Sequence, residues 1–183
     1  TNLTQSSSNT KVWTGTFTPT ASTDSSTASI TVAASSYTDA AGNNGGAGTT
    51  PTLTFDTKAP SLASITAAGS VAAGGTTTLT FTFSEAVSDF TLADITATNG
   101  TVSNLAVNAS NALVYTATFT AASTLTGSPT VSVAASKYAD AKGNLNTAAS
   151  ATTTLSTSLA VAGKSVDGYV VGANVYLDWN GDL

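Results

Sequence analysis

The stretch "YADAKGNLN", Tyr138–Asn146, closely repeats an earlier stretch, "YTDAAGNNG", Tyr37–Gly45. Both spell Tyr-x-Asp-Ala-x-Gly-Asn, and the second copy begins 101 residues after the first. Asp and Asn side chains form tight turns by bonding to the backbone two residues on, and Gly supplies positive φ without steric cost. The stretch therefore predicts one turn that the chain builds twice.

The similarity continues on the N-terminal side of each turn. "KVWTGTFT", which begins at Lys11, matches "LVYTATFT", which begins at Leu113. Trp13 aligns with Tyr115 and Phe17 with Phe119 at an offset of 102 residues, so one residue is gained or lost between this segment and the turn. A period of about 100 residues is the size of one sandwich domain and exceeds a solenoid repeat.

This period divides the chain into three parts. Residues 1–60 are predicted to be the second half of one repeat, and residues 61–160 a complete repeat. Residues 161–183 are predicted to open a further β-module that ends inside a loop. The first boundary falls in "FDTKAPSL", where Pro60 interrupts any strand ladder.

Apolar residues alternate with threonine inside the complete repeat. "TTTLTFTFSE" places Leu79, Phe81 and Phe83 on one side of a strand and threonines on the other. Strict alternation over five to eight residues is typical of half-buried strands, and polar turns separate these strands. The sequence thus predicts an all-β fold of tandem antiparallel sandwich modules. Trp13, aligned with Tyr115 on a strand, is predicted to lie in the core.

Composition excludes several functions. Charged residues make up only 8% of the chain, with a formal net charge of −5 and no His or Cys. Without a basic patch the chain cannot neutralise phosphates, so we expect no nucleic-acid partner. No apolar run is long enough to predict membrane insertion of this segment. With a single Glu, no nucleophile motif and no phosphate loop, we predict that the protein is not an enzyme.

Several phrases in order carry a family resemblance. "LTFTFSEAVSDFTLADITATNGTVSNL", "YTATFTA", "VSVAASKYADAKGN" and the linker "DTKAP" resemble the bacterial immunoglobulin-like repeats of giant surface adhesins and biofilm-associated proteins. The resemblance implies an immunoglobulin-like sandwich, tandem arrays in which neighbouring repeats are the partners, and an extracellular location on the bacterial cell surface. It also implies calcium binding, especially at Asp56, Glu85, Asp140 and Asn144.

Oxygen-bearing side chains in the loops are the candidate metal ligands, because calcium takes six to eight oxygens from carboxylates, amides and carbonyls. Asp39 and Asn43 occupy the first repeated turn, while Asp140 and Asn144 occupy the second. Turn formation alone also explains these four residues. Asp178, Asn180 and Asp182 form an Asp-x-Asn-x-Asp loop with alternate oxygens, although Leu183 stands where Gly is usual in such loops.

Three functions remain open at this point. The chain is predicted to be a structural extender of a surface adhesin that calcium makes rigid. A first alternative is a subunit that self-assembles by strand addition into an extracellular filament or surface lattice. A second alternative is a calcium-dependent module that binds glycans or a surface, for which Trp179 is the candidate exposed aromatic residue.

Overall fold

A computed structural model describes residues 2–148 and 153–158. The predicted all-β, immunoglobulin-like class is confirmed. Outside the strands, the described residues contain one short 3-10 helix, at Leu92–Asp94. The strands are β1 (Thr4–Gln5), β2 (Trp13–Thr14), β3 (Ser26–Ser29), β4 (Thr52–Phe55), β5 (Leu62–Ala67), β6 (Thr76–Phe83), β7 (Ile95–Thr98), β8 (Gly100–Asn108), β9 (Asn111–Ala121), β10 (Thr130–Val133) and β11 (Thr153–Thr154).

Two antiparallel sheets form the second repeat. One has the order β5-β6-β9-β8 and the other the order β11-β10-β7. Inward side chains of both sheets meet in one core, which includes Leu79, Phe81 and Phe119 of the first sheet and Val131 and Val133 of the second. All five are at most 1% exposed, as the two-residue alternation in their strands predicts.

An aromatic cluster closes one end of this core. Phe83 and Phe90 contact each other, and each contacts both Tyr115 and Tyr138, all edge to face with ring centroids 5.0–5.9 Å apart. Such T-shaped pairs add about 0.5–1.5 kcal/mol beyond the area they bury. Phe90 reaches the cluster from the loop that follows β6, so the cluster fixes that loop against the sandwich.

The last described segment of the repeat lies beside Val71, which follows β5. Val71 and Thr157 form an isolated parallel bridge. The Val71 N–H donates to the Ser156 carbonyl at 2.9 Å, and the Ser158 N–H donates to the Val71 carbonyl at 3.1 Å. The segment that leaves the repeat is therefore attached to the segment that follows β5.

The described part of residues 1–55 has the same turn but no covering layer. β1 pairs with β2 and β3 pairs with β4, each as a two-stranded unit. Phe17, Val32 and Tyr37 are 37%, 46% and 53% exposed, whereas their counterparts in the second repeat lie in the core. The prediction that Trp13 is a core residue is wrong, because its side chain is 59% exposed. A strand buries its apolar side only when another layer lies against it.

The two repeats supply a matched pair of variants. Phe119→Ala should destabilise the chain by about 3–5 kcal/mol, because it removes a fully buried ring and leaves a cavity. Phe17→Ala, at the equivalent position, should cost less than about 1 kcal/mol, because the side chain is already partly in water. Urea denaturation followed by circular dichroism measures both. Equal losses would contradict the view that only the second repeat has a closed core.

Candidate metal centre

The repeated turn has the same conformation in both copies. In the second copy, Asp140 Oδ1 accepts from the backbone N–H groups of Lys142 and Asn144, at 2.7 and 3.0 Å. Its other oxygen, Oδ2, accepts from Asn144 Nδ2 at 2.7 Å. Gly143 has φ 86°, which Gly adopts without steric cost. The Asp-Ala-x-Gly-Asn phrase is thus a complete Asx turn.

The first copy repeats these contacts at the surface. Asp39 Oδ1 accepts from the N–H groups of Ala41 and Asn43, at 2.9 and 2.8 Å. Asn43 Nδ2 donates to Asp39 Oδ2 at 2.9 Å, and Gly42 has φ 85°. Because the same turn forms at an exposed position, its shape follows from local hydrogen bonds rather than from packing.

Three carboxylates gather at one end of the second repeat. Oxygens of Asp56, Glu85 and Asp140 all lie within 4.8 Å of one another, and no other acidic group of this kind occurs among the described residues. Asp140 is buried, and the other two side chains are half-buried. We call these three residues the acidic trio. It combines the linker before β5, the loop after β6 and the repeated turn.

Hydrogen bonds between the loops position the trio. Ser88 Oγ donates to the carbonyl groups of Ala139 and Asp140, at 3.3 and 3.2 Å. The Ala139 N–H donates to Asp89 Oδ1 at 2.7 Å. These contacts attach the loop that carries Glu85 to the turn that carries Asp140.

The linker is attached to the same turn. Asn144 Nδ2 donates to the Asp56 carbonyl oxygen at 3.2 Å, and the Lys58 N–H donates to Asp56 Oδ1 at 3.0 Å. Pro60, which is buried, follows the linker and stops it from joining a sheet. The Asn144 amide therefore holds the Asp56 backbone beside the turn, and the Lys58 N–H orients the Asp56 side chain within the linker.

Contacts also join the linker to the first repeat. Ser25 Oγ donates to Asp56 Oδ2 at 3.2 Å. The Thr57 N–H donates to the Thr23 carbonyl at 2.9 Å. Lys58 Nζ forms an ion pair with Asp24 Oδ2 at 3.2 Å. An ion bound by the trio would thus sit at the joint between the two repeats.

The acidic trio brings three carboxylates together, and this affects the pKa of Glu85. Burial raises the pKa of Glu85 above its usual range, and the charges of Asp56 and Asp140 raise it further. Lys58 acts in the opposite direction as the smallest of these influences. Glu85 Oε1 is buried and has no hydrogen-bond partner among the described residues. A cation between the carboxylates would remove both the repulsion and the unpartnered oxygen.

The pKa of Asp140 is shifted in the opposite direction from that of Glu85. Burial alone would raise its pKa, but hydrogen bonds from Asn144, Lys142 and Gly143 outweigh burial and lower the pKa. Those bonds stabilise the folded chain above the pKa of an unfolded Asp, and the stabilisation is lost as the pH falls through the lower folded value. Glu85 has the opposite effect on the stability of the folded chain. Its ionised form destabilises the fold at neutral pH, and this destabilisation disappears in acid, where the carboxyl is protonated.

The structure separates the predicted ligands into groups. Asp56, Glu85 and Asp140 come together, and Asn144 lies beside them with its amide nitrogen bonded to Asp140. Asp39 and Asn43 form the exposed first turn, which is not part of the acidic trio. The three remaining predicted ligands lie outside the described residues and stay a prediction: Asp178, Asn180 and Asp182.

Sequence reasoning missed the residues that support the trio. Asn146 is 1% exposed; its Oδ1 accepts from the N–H groups of Lys137 and Tyr138, and its Nδ2 donates to the carbonyls of Ala134 and Ala148. The equivalent residue in the first repeat is Gly45. This difference between the two copies is the feature of the sequence that could have drawn attention to Asn146. Asp89 gave no such signal, because its bond to Ala139 joins positions 50 residues apart.

Replacing Glu85 tests the electrostatics without any metal. In a chelator at neutral pH, Glu85→Gln should raise Tm by about 2–4 °C, because it removes one of three neighbouring negative charges. The gain should shrink as the pH falls through the raised pKa of folded Glu85, and it should be gone below about 4, where an unfolded Glu is protonated as well. Thermal melts across pH measure the effect, and Asp140→Asn should lower Tm instead. A lower Tm for Glu85→Gln at neutral pH would contradict the proposed repulsion.

Comparison with known proteins identifies the family. The family model of the bacterial Ig-like domain matches residues 1–55 and again residues 56–157. No curated protein and no solved structure matched the chain. Within the described residues, no helix has the length and hydropathy needed to span a membrane. Bacterial Ig-like domains typically occur in surface or extracellular proteins and are typically not enzymes. The chain belongs to the bacterial Ig-like domain family, with two matched copies in sequence.

Proposed function

We propose that this chain is an extender segment of a bacterial cell-surface adhesin, in which calcium makes the joint between repeats rigid. The observation that carries the proposal is the acidic trio, which joins the linker residue Asp56 to Glu85 and Asp140 of the second repeat. An ion held there would restrict the angle between consecutive repeats.

The donor set fits calcium better than other metals. All three side chains offer hard carboxylate oxygens, and the sequence has no His or Cys to supply nitrogen or sulfur ligands. Magnesium needs near-ideal octahedral geometry, whereas calcium tolerates irregular sets of six to eight oxygens. Backbone carbonyls and water would complete the coordination. The ion would supply positive charge and connect loops, and it would perform no reaction.

Calcium binding should raise the thermal stability of the chain. Extracellular calcium modules bind with dissociation constants of about 0.1–1 mM. At 10 mM calcium, linkage then predicts a stabilisation of about 1.4–2.7 kcal/mol and a Tm increase of about 5 °C or more. A melt with calcium and then with a chelator measures this increase.

The two turns provide the control. Asp140→Asn should abolish the calcium-dependent increase, because it removes a carboxylate from the trio. Asp39→Asn changes the same turn contact in the first repeat and should keep the increase. If both variants respond to calcium like the parent chain, or if the parent shows no shift, the trio is not a calcium site.

A second candidate function is self-assembly by strand addition, favoured by the exposed apolar side chains of residues 1–55. Phe17 and Tyr37 correspond to Phe119 and Tyr138, which the second repeat buries beneath other strands. In that repeat, residues 61–98 supply β5 and β6 on the same sheet as β9, β7 beside β10 in the other sheet, and Phe90 in the core. A segment with this pattern, donated by a neighbouring chain, would bury the exposed side of residues 1–55.

Fluorescence of Trp13 tests strand addition. In a Trp179→Phe background, Trp13 is the sole tryptophan, and its exposed ring should emit at long wavelength. Adding a peptide of residues 61–98 should shift the emission to the blue, because the aligned residue, Tyr115, contacts Phe83 and Phe90. The same peptide with Phe83→Ser and Phe90→Ser is the control. An unchanged spectrum with saturating parent peptide would exclude this mode.

A further inference from the structure

The outer side of the sheet β5-β6-β9-β8 carries a regular array of hydroxyl groups. Thr78, Thr118 and Ser103 are paired in one row across three strands. Thr66, Thr80 and Thr116 are paired in the next row. Rows repeat about every 6.7 Å along the strands, and neighbours within a row lie about 4.8 Å apart. We call this surface the hydroxyl face.

Within the described part of the chain, these hydroxyl groups have no hydrogen-bond partner. None of the six side chains hydrogen-bonds to another group among the described residues. Each hydroxyl is both a donor and an acceptor, so the face can bond to a like surface in more than one orientation. The threonine methyl groups add modest apolar area without forming a hydrophobic patch.

The face also carries no charge. All eight charged side chains of residues 56–157 lie outside the strands, in the loops, the linker and the short helix. A charged face would repel its own copy, because an isologous contact brings the same residues together. The hydroxyl face is free of this repulsion. A strongly charged partner would instead lose hydration against a surface that offers no countercharge.

The sheet edge next to this face is guarded in a different way. β8 is an edge strand with a register shift between Ser103 and Ala106, and Asn104 there has φ 53°. Such bulges twist an edge away from further strand pairing. Edge-to-edge pairing through β8 is therefore disfavoured, whereas contact through the face is open.

We propose that the hydroxyl face is a weak docking surface for the same face of a second copy of this chain. The accessible patch measures about 20 by 23 Å, so a pair would bury only about 900 Å² in total, less than stable dimers need. The contact is therefore transient for one repeat. The first repeat carries the same alternation at Thr14, Thr16 and Thr18, so tandem repeats multiply the contact through avidity.

Analytical ultracentrifugation of the full chain, from about 10 µM to about 1 mM, tests the contact over the range of a weak association. Thr78→Lys with Thr116→Lys should weaken self-association at least tenfold, because the lysines face their own copies. Ser110→Lys with Thr124→Lys adds the same charge in exposed loops and should leave the association unchanged. A parent chain that stays monomeric, or equal weakening by both pairs, would overturn the proposal.

Cysteine cross-linking gives an independent answer, because the chain contains no native Cys. Under mild oxidation, Thr78→Cys should form disulfide-linked dimers several-fold faster than Ser110→Cys. Equal rates would place the contact elsewhere. Association that persists with lysines on the face but disappears in Val32→Lys would assign self-association to residues 1–55 and would also overturn the proposal.

Discussion

The packing of Tyr138 against Phe83 and Phe90 is the contact on which the end of the sandwich depends. It brings the repeated turn against strand β6 and the loop after β6, which lie far from that turn in sequence. Two residues beyond Tyr138, the carboxylate of Asp140 joins the acidic trio. One short segment therefore places the Tyr138 ring in the core and the Asp140 carboxylate at the joint. The position of the Asp140 carboxylate depends on the packing of the Tyr138 ring.

Comparison of the two repeats separates local from non-local determinants. Asp39 and Asp140 form the same turn in different surroundings, since both accept from the backbone two and four residues on. Tyr37 and Tyr138 differ in burial because only the second has strands above it. Local hydrogen bonds set the conformation of the turn, while packing across the sandwich decides whether that turn belongs to a site.

The sequence was sufficient to predict the features that follow from a repeating pattern of residues. Alternation in β6 identified Leu79, Phe81 and Phe83 as core residues, and the repeat identified the turn. The family resemblance, rather than spacing, singled out Asp56 and Glu85, since 29 residues separate them. Trp13 was assigned wrongly because alternation shows that a strand has an apolar side without showing what covers it. Asn146 was missed because a buried amide bonded to four backbone groups looks like any loop asparagine.

The parallel contact beside Val71 has a mechanical consequence. Tension along the chain acts on the repeat at two points, before β5 and after Thr157. The hydrogen bonds that join Val71 to Ser156 and Ser158 connect the segment after β5 to the segment by which the chain leaves the repeat. Because the two segments run in the same direction, tension loads these bonds in shear and together, whereas an antiparallel hairpin would open one bond at a time. The repeat therefore resists extension at the parallel contact between the segment after β5 and its last segment.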